Sequence, residues 1–281
     1  MNRFTYLIAM LAVLYGVVSG LMGDVDGPRR PEISAPTIER PRQIVPRQVI
    51  PRGPTIEIDV GTKGSSTGTA FAITDDGWWL TARHVAHGCD AIWLQTAPRK
   101  GWRVLESHLH PNADLALLRT RIGRTPLTLA RGTPGRGEDG FSLGYPQGSP
   151  GDVHARVMGQ AQMKSVGRYR INEPILAWAE ITRRPRDLPA LGGLSGGPML
   201  DGQGRVVGVL VASSKRRGRV MTTAQSSIQE LLARFPAARA NAGDLSRPID
   251  SNSFIARGKT LRRELTIAKV LCKVTNARRR P

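Results

Sequence analysis

Gly193–Pro198 has the composition of a sharp turn that exposes a serine. The segment reads Gly-Leu-Ser-Gly-Gly-Pro. Glycine accepts positive φ angles and allows another chain to approach the backbone closely. A serine hydroxyl on such a turn can attack a carbonyl carbon, and adjacent backbone N–H groups can stabilise the resulting oxyanion. The pattern predicts Ser195 as a nucleophile, with the N–H groups of Gly193 and Ser195 forming an oxyanion hole.

Two upstream residues have the chemistry that such a serine requires. His84 follows a short apolar run, and an imidazole can take up and return a proton near neutral pH. Asp114 lies within the apolar segment 112–118, where a carboxylate is costly to bury without a partner. A histidine N–H is a suitable partner, because the pairing fixes the imidazole tautomer and stabilises the imidazolium. The order His84, Asp114, Ser195 therefore predicts a catalytic triad.

The elements that must position these residues are mostly short strands. Apolar, β-rich runs separated by glycine and proline are typical of an all-β barrel or sandwich. Helical periodicity is clear only in Ala224–Phe235, where apolar residues recur on one face. The strand predictions cover Ile56–Val60, Ala70–Thr74, Ala91–Gln95, Leu115–Arg119 and Val206–Val211.

Together, these motifs resemble those of the chymotrypsin-like (trypsin-fold) serine proteases, especially the HtrA/Deg-type protease domain. The likeness rests on TARHVA around His84, NADLALLR around Asp114 and GLSGGP around Ser195. It also includes GTAFAI at residues 68–73 and FSLGYP at residues 141–146. The resemblance concerns the protease domain only, because the segment after it is too short for a PDZ module.

The resemblance implies an all-β fold of two antiparallel six-stranded β-barrels with a short C-terminal helix. His84 and Asp114 would come from the first barrel and Ser195 from the second. The resemblance also assigns substrate binding to Val211, Ala212 and Ser213, whose strand edge would pair with the substrate backbone. The predicted function is a serine endopeptidase that acts on protein or peptide substrates without a cofactor or metal.

Leu194 departs from the family pattern. The zymogen-activated digestive branch has an aspartate before the nucleophile, and leucine cannot form the ion pair that this aspartate makes. We therefore expect no activation by insertion of a new N-terminus. Leu194 also leaves open an alternative function, a catalytically inactive peptide-binding module on the same fold.

The chain is predicted to have four parts. The apolar stretch at residues 4–22 follows a basic start, which favours a signal peptide or an anchor in the inner membrane. Either assignment places the protein outside the cytoplasm, in the periplasm or the extracellular space. Recurrent prolines next predict an extended linker. The parts are a leader or anchor and N-terminal apolar helix at 1–26, a Pro/Arg-rich linker at 27–54, the protease domain at 55–240 and a basic tail at 241–281.

Charge and cysteine content leave further alternatives open. The formal net charge of +19 would attract polyanions without sequence preference, yet solvated basic segments explain it equally well. No specific nucleic-acid-binding pattern is present. The two cysteines, Cys89 and Cys272, allow one disulfide in an oxidising compartment or two free thiols. His84, His87 and Cys89 match no zinc-binding spacing, so no metal site is predicted.

Overall fold

A computed structural model describes residues 53–62, 64–214, 217–238 and 246–275. The predicted leader or anchor and most of the predicted linker lie outside these residues. Among the described residues, no helix combines the length and the apolar character needed to cross a bilayer. Fourteen strands, three α-helices and two single-turn 3-10 helices (Pro146–Gly148 and Pro236–Ala238) form the described fold.

The first half of the chain contains seven strands and one short helix. The helix, α1, spans Arg83–Ala86 and follows β3 directly. The strands are β1 (Thr55–Val60), β2 (Ser66–Ala72), β3 (Trp78–Thr81), β4 (Ala91–Ala97), β5 (Lys100–Arg103), β6 (Glu106–Leu109) and β7 (Ala116–Arg119).

The second half contains the remaining strands and two longer helices. The helices are α2 (Gln225–Arg234) and α3 (Phe254–Arg263). The strands are β8 (Asp139–Gly144), β9 (Gly151–Gly167), β10 (Ile171–Arg184), β11 (Pro198–Leu200), β12 (Val206–Ser214), β13 (Arg219–Thr223) and β14 (Ile267–Lys273).

The first sheet has the strand order β5-β4-β14-β2-β3-β7-β6. Only two residues separate β5 from β6, and both continue the ladder. The N–H of Val104 donates to Ile92 in β4, and the N–H of Leu105 donates to Arg119 in β7. β5 and β6 therefore act as one bent strand that closes a six-stranded barrel.

The sixth strand of this barrel comes from the far end of the described chain. β14 lies between β2 and β4 and pairs with both in antiparallel register. A disulfide between Cys272 in β14 and Cys89 adds a covalent link, with a Cα–Cα distance of 5.5 Å. Of the two alternatives for the cysteines, the structure shows the disulfide.

The second sheet closes through six strands as well. Its order is β9-β10-β13-β12-β11-β8, and β8 returns to pair with β9. The first part of β9 pairs with β8, and its last part pairs with β1 in parallel register. β1 is therefore a seventh strand beside the second barrel, although it precedes the first barrel in sequence.

Apolar side chains fill both barrels and the contact between them. A cluster within the second barrel includes Trp178 and Leu194, both fully buried. A separate cluster joins Phe71 and Leu117 of the first barrel to Phe141 of the second. The barrels are therefore packed together directly through buried apolar surface.

Helix α3 attaches the C-terminal segment to the second barrel. Phe254 lies in the apolar cluster between the barrels, and its ring centre is 5.7 Å from that of Phe141. The guanidinium of Arg262 makes two hydrogen bonds, of 2.5 and 3.0 Å, to the buried carboxylate of Asp152. The segment from α3 to β14 thus contacts the second barrel first and then completes the first barrel.

The predicted fold class is confirmed. All five predicted strands are present with shifted ends, and the helix predicted at Ala224–Phe235 is α2. The structure differs over residues 241–281, which the sequence predicted to be a tail beyond the domain. β14 within that segment is a barrel strand. The pairing joins residues far apart in sequence, which local periodicity does not reveal.

Candidate active site

His84 lies in helix α1, one turn that begins as soon as β3 ends. Its neighbour Val85 is buried in an apolar cluster that draws residues from both barrels. Arg83 donates hydrogen bonds to the carbonyl oxygens of His110 and Pro111, at 2.8 and 3.0 Å. These two carbonyls belong to the loop that leads to Asp114. The same turn therefore carries the imidazole and holds the segment that carries the carboxylate.

Asp114 is the main hydrogen-bond acceptor of the site. Only 3% of its surface is exposed. Its Oδ2 is 2.6 Å from Nδ1 of His84, and its Oδ1 accepts the backbone N–H of His84 at 2.8 Å. The two contacts fix both the ring and the backbone of His84 relative to one carboxylate.

The tip of the β9–β10 hairpin supplies further contacts from the second barrel. The hydroxyl of Tyr169 donates to Oδ1 of Asp114 at 3.0 Å. Arg168 donates to the backbone carbonyl of His84 at 3.1 Å. The Tyr169 ring also lies against the guanidinium of Arg83, whose central carbon is 4.4 Å from the ring centre. Residues of both barrels therefore hold the His84–Asp114 pair.

These contacts set the ionisation of the carboxyl group. Burial acts to raise the pKa of Asp114, but the charge and hydrogen bonds of His84, together with the Tyr169 hydroxyl, lower it overall. The pKa of Asp114 therefore lies below its usual value, and the group is a carboxylate at neutral pH. Burial, and then the charge and hydrogen bond of the Asp114 carboxylate, raise the pKa of Tyr169, which remains a hydroxyl donor.

Ser195 lies on a tight turn between β10 and β11, and it is half-buried. Gly193 and Gly196 on either side have φ angles of +94° and +87°. A side chain at Gly196 would overlap the carbonyl oxygen of Thr69 and the hydroxyl of Thr81. Glycine is therefore required there, because the turn packs directly against the strand end that precedes His84.

Thr69 in β2 connects the serine turn to the first barrel. Its N–H donates to the carbonyl of Ser195 at 2.9 Å, and its hydroxyl donates to the carbonyl of Gly193 at 2.8 Å. The hydroxyl also accepts the N–H of Tyr145 at 3.1 Å. Thr69 is fully buried, so water cannot replace these bonds.

Leu194 fixes the turn from the opposite side. Its side chain is fully buried in the apolar cluster of the second barrel, together with Trp178, Leu191 and Leu210. The N–H of Gly197 and the N–H of Leu194 also bond to carbonyls within the turn region. Apolar burial therefore anchors the residue before Ser195.

The N–H groups of Gly193 and Ser195 have no hydrogen-bond acceptor among the described residues. The peptide planes that carry these two N–H groups contain the carbonyls of Gly192 and Leu194, which accept the N–H groups of Gln147 and Gly197 at 2.5 and 2.9 Å, so both planes are fixed. Two fixed and unpaired N–H groups on one turn can donate hydrogen bonds to a negatively charged oxygen.

The predicted substrate-binding residues lie in β12. Val211 is buried, Ala212 is half-buried and Ser213 is exposed. β11 pairs only with the part of β12 up to Val209. In the described part of the chain, the edge of residues 211–214 facing away from β13 therefore has no strand partner.

Several residues of the site were not recognised from sequence. Thr69 lies in the GTAFAI motif and Tyr169 in no motif, but the role of neither was recognised, since their partners lie more than fifty residues away. Glu173 did carry a signal. It lies between Ile171 and Ile175 on one face of the strand, and both of these apolar residues are buried. No group of potential metal ligands is present among the described residues.

A family model described as trypsin-like peptidase domain matches residues 68–209. The match includes His84, Asp114 and Ser195. The chain belongs to this family.

Curated relatives include two proteins named probable periplasmic serine endoprotease DegP-like. The one from Hahella chejuensis is 28% identical over 161 residues, which are 57% of this chain and 32% of the relative. The one from Marinomonas sp. is 25% identical over 218 residues, which are 74% of this chain and 44% of the relative. The chain thus spans less than half the length of these relatives.

Among solved structures, the Rv3671c protease of M. tuberculosis in its active form has a similar fold. The TM-score is 0.51 at 22% identity, and the alignment covers 65% of this chain and 76% of that structure. The likeness supports the trypsin-like fold that the strand order shows.

We predict that Thr69→Val lowers the free energy of unfolding by about 1–3 kcal/mol. Valine has a similar shape but leaves the partly buried Gly193 carbonyl and Tyr145 N–H without the hydroxyl that binds both. Chemical denaturation measures the change. Thr69→Ser retains the hydroxyl, so its free energy of unfolding should fall by less. Thr67→Val, on the exposed part of β2, should leave the free energy of unfolding almost unchanged. Equal losses in Thr69→Val and Thr67→Val would contradict this role.

Proposed function

We propose that this protein is a serine endopeptidase that hydrolyses peptide bonds through His84, Asp114 and Ser195. The N–H groups of Gly193 and Ser195 form its oxyanion hole. The observation that carries the proposal is the double hydrogen bond from His84 to the buried Asp114 carboxylate. A histidine held in one tautomer by a buried carboxylate is the arrangement that general-base catalysis requires.

The proposed reaction begins when the Ser195 hydroxyl attacks the carbonyl carbon of the substrate. His84 takes the serine proton and later donates it to the leaving amine, which leaves an acyl-enzyme. A water molecule then attacks the acyl carbonyl, and His84 again accepts and returns a proton. Asp114 remains ionised throughout and stabilises the imidazolium.

The geometry of the serine turn supports this assignment. The unpaired N–H groups of Gly193 and Ser195 lie in peptide planes whose carbonyls, those of Gly192 and Leu194, accept hydrogen bonds from Gln147 and Gly197. Preorganised donors need no rearrangement as the oxyanion forms. Leu194, which motivated the alternative of an inactive binding module, instead anchors this turn in the core.

A fluorophosphonate probe should label the wild-type protein at Ser195 and should not label Ser195→Ala. The probe requires a serine whose hydroxyl is activated by a neighbouring base. Asp114→Asn should reduce turnover by about 10⁴-fold, because the amide favours the wrong imidazole tautomer. Mass spectrometry of the labelled peptide and hydrolysis of an unfolded protein measure the two effects.

Ser107→Ala is the matched control for Ser195→Ala, since Ser107 is exposed on β6 away from the serine turn. It should label like the wild type. Labelling of Ser195→Ala at the wild-type rate would overturn the proposed function.

We further propose that the substrate binds as an added strand along residues 211–213. The unpaired edge of β12 offers backbone donors and acceptors next to the serine turn, where the N–H of Gly196 donates to the Leu210 carbonyl. An extended peptide can complete such an edge without a particular side-chain sequence. The small or exposed side chains of Ala212 and Ser213 leave room for it.

Peptide substrates with one backbone nitrogen methylated on the N-terminal side of the cut should test this binding mode. Methylation removes a strand hydrogen bond while retaining every side chain, so kcat/KM should fall by roughly tenfold at positions that pair with β12. A scan of single methylations should show alternate sensitive positions, because strand bonds alternate. Uniform insensitivity would rule out strand addition.

We place the enzyme outside the cytoplasm, in the periplasm or extracellular space. The Cys89–Cys272 disulfide fits an oxidising compartment, and the curated relatives named above are called periplasmic. The apolar segment at residues 4–22 could direct export, either as a cleaved signal or as an inner-membrane anchor.

Thiol trapping in intact cells should show both cysteines protected. Cells are quenched with acid, denatured in a maleimide reagent, and the protein mass is measured before and after reduction. The chain has only two cysteines, so the expected result is no adduct before reduction and two after it. Two adducts without reduction would contradict both the disulfide and the oxidising location.

A further inference from the structure

Glu173 is a buried acidic residue that the triad mechanism does not use. It lies in β10 of the second barrel, with 1% of its surface exposed. The apolar residues Ile171 and Ile175 lie beside it on the same strand face. Buried glutamates are uncommon in proteins unless something pairs with them.

Its one hydrogen bond reaches the candidate active site. Oε1 of Glu173 accepts the backbone N–H of Asp114 at 2.7 Å. Its other carboxyl oxygen, Oε2, is buried without a hydrogen-bond partner among the described residues. Glu173 thus holds the main chain of Asp114, while His84 and Tyr169 hold its side chain.

The charges around Glu173 oppose its ionisation. None of the ion pairs of the described residues includes Glu173, and the charged group that faces it is the Asp114 carboxylate. The strand neighbour Met163 in β9 and the nearby Thr223 in β13 carry no charge. Two other titratable side chains of the site, His84 and Tyr169, form hydrogen bonds with the Asp114 carboxylate.

An ionised Glu173 would be a second negative charge in an apolar site, with one N–H donor for compensation. Such a charge is strongly unfavourable to bury without a cation. Burial first, and then the charge of Asp114, raise the pKa of Glu173 well above its usual value of 4.5.

We propose that Glu173 acts as an uncharged carboxylic acid that positions Asp114. It is a positioning residue, since its contact is with the Asp114 backbone. The inference rests on the proposed function for its kinetic consequence, whereas its consequence for stability is independent of catalysis. In this arrangement, Asp114 is the sole negative charge beside His84.

The uncharged acid has a defined effect on stability. Below pH 4.5 the folded and unfolded chains both carry the Glu173 proton. As pH rises above that value, the unfolded chain releases the proton while the folded chain retains it. Folding stability therefore falls until the raised pKa of the folded state is passed. Glu173→Gln keeps the acceptor oxygen but cannot titrate, so its folding stability should not show this fall as pH rises.

The first test compares Ser195→Ala with the double variant Ser195→Ala/Glu173→Gln by urea denaturation from about pH 5 to about pH 8. The inactive background prevents self-cleavage. We expect the midpoint of the single variant, which retains Glu173, to fall steadily relative to that of the double variant as pH rises. Glu57→Gln on the exposed face of β1 is the matched control and should show no such divergence. A difference that stays constant with pH would overturn the proposal.

A second measurement needs no substitution at Glu173. Glutamate side chains labelled with ¹³C at the carboxyl carbon report protonation directly by NMR. We expect one folded-state carboxyl signal in the Ser195→Ala protein to remain at the protonated position at neutral pH. If every glutamate signal shows the ionised position there, the inference is wrong even if Glu173→Gln does not fold.

Kinetics then test the positioning role. Glu173→Leu removes the acceptor and should lower kcat by roughly tenfold with little change in KM, because a displaced Asp114 misaligns His84. Glu173→Gln should restore kcat, and its activity should persist to higher pH than that of the wild type. If Glu173→Gln loses as much kcat as Glu173→Leu, an uncharged acceptor is insufficient and the proposal fails. Failure of the proposed function would appear separately, as probe labelling of Ser195→Ala.

Discussion

The buried carboxylate of Asp114 is the constraint on which the candidate active site depends. A negative charge with 3% exposure is tolerated only if donors surround it. Two of these donors come from His84, and the third, the Tyr169 hydroxyl, comes from the second barrel. The need to satisfy one carboxylate therefore aligns an imidazole and ties a hairpin of one barrel to a loop of the other.

The candidate site draws residues from both barrels, so the barrels must keep a fixed relation. Thr69 provides one link, because a first-barrel strand binds the carbonyls on both sides of Leu194. The C-terminal segment provides another: α3 pairs Arg262 with Asp152 of the second barrel, and β14 completes the first barrel. The disulfide closes this link at Cys89, five residues after His84. The geometry of the candidate site and the closure of the fold are thus maintained by the same connections.

The sequence was sufficient for five of the fourteen described strands, the α2 helix and the proximity of His84 to Asp114, because each rests on local periodicity or a compact motif. It was insufficient for β14, whose neighbours in the sheet are about two hundred residues away. The same holds for Thr69 and Tyr169, which are ordinary residues until folding supplies their partners. Glu173 is intermediate, since an acid on an apolar strand face indicates a buried role but does not identify its partner. Long-range pairing, rather than residue type, limited the prediction.

Leu194 shows that the turn carrying Ser195, the proposed nucleophile, can be fixed without an ion pair. An ion pair at this position would depend on the charge of both partners and on a cationic group reaching a buried site. A leucine side chain buried among Trp178, Leu191 and Leu210 has no protonation state and requires no incoming group. Its stabilisation comes from apolar area removed from water, which does not vary with pH. The turn can therefore form together with the second barrel core, as the expectation of no activation by a new N-terminus requires. Control of such an enzyme would have to act elsewhere, through access to the β12 edge or through the contacts that hold Asp114.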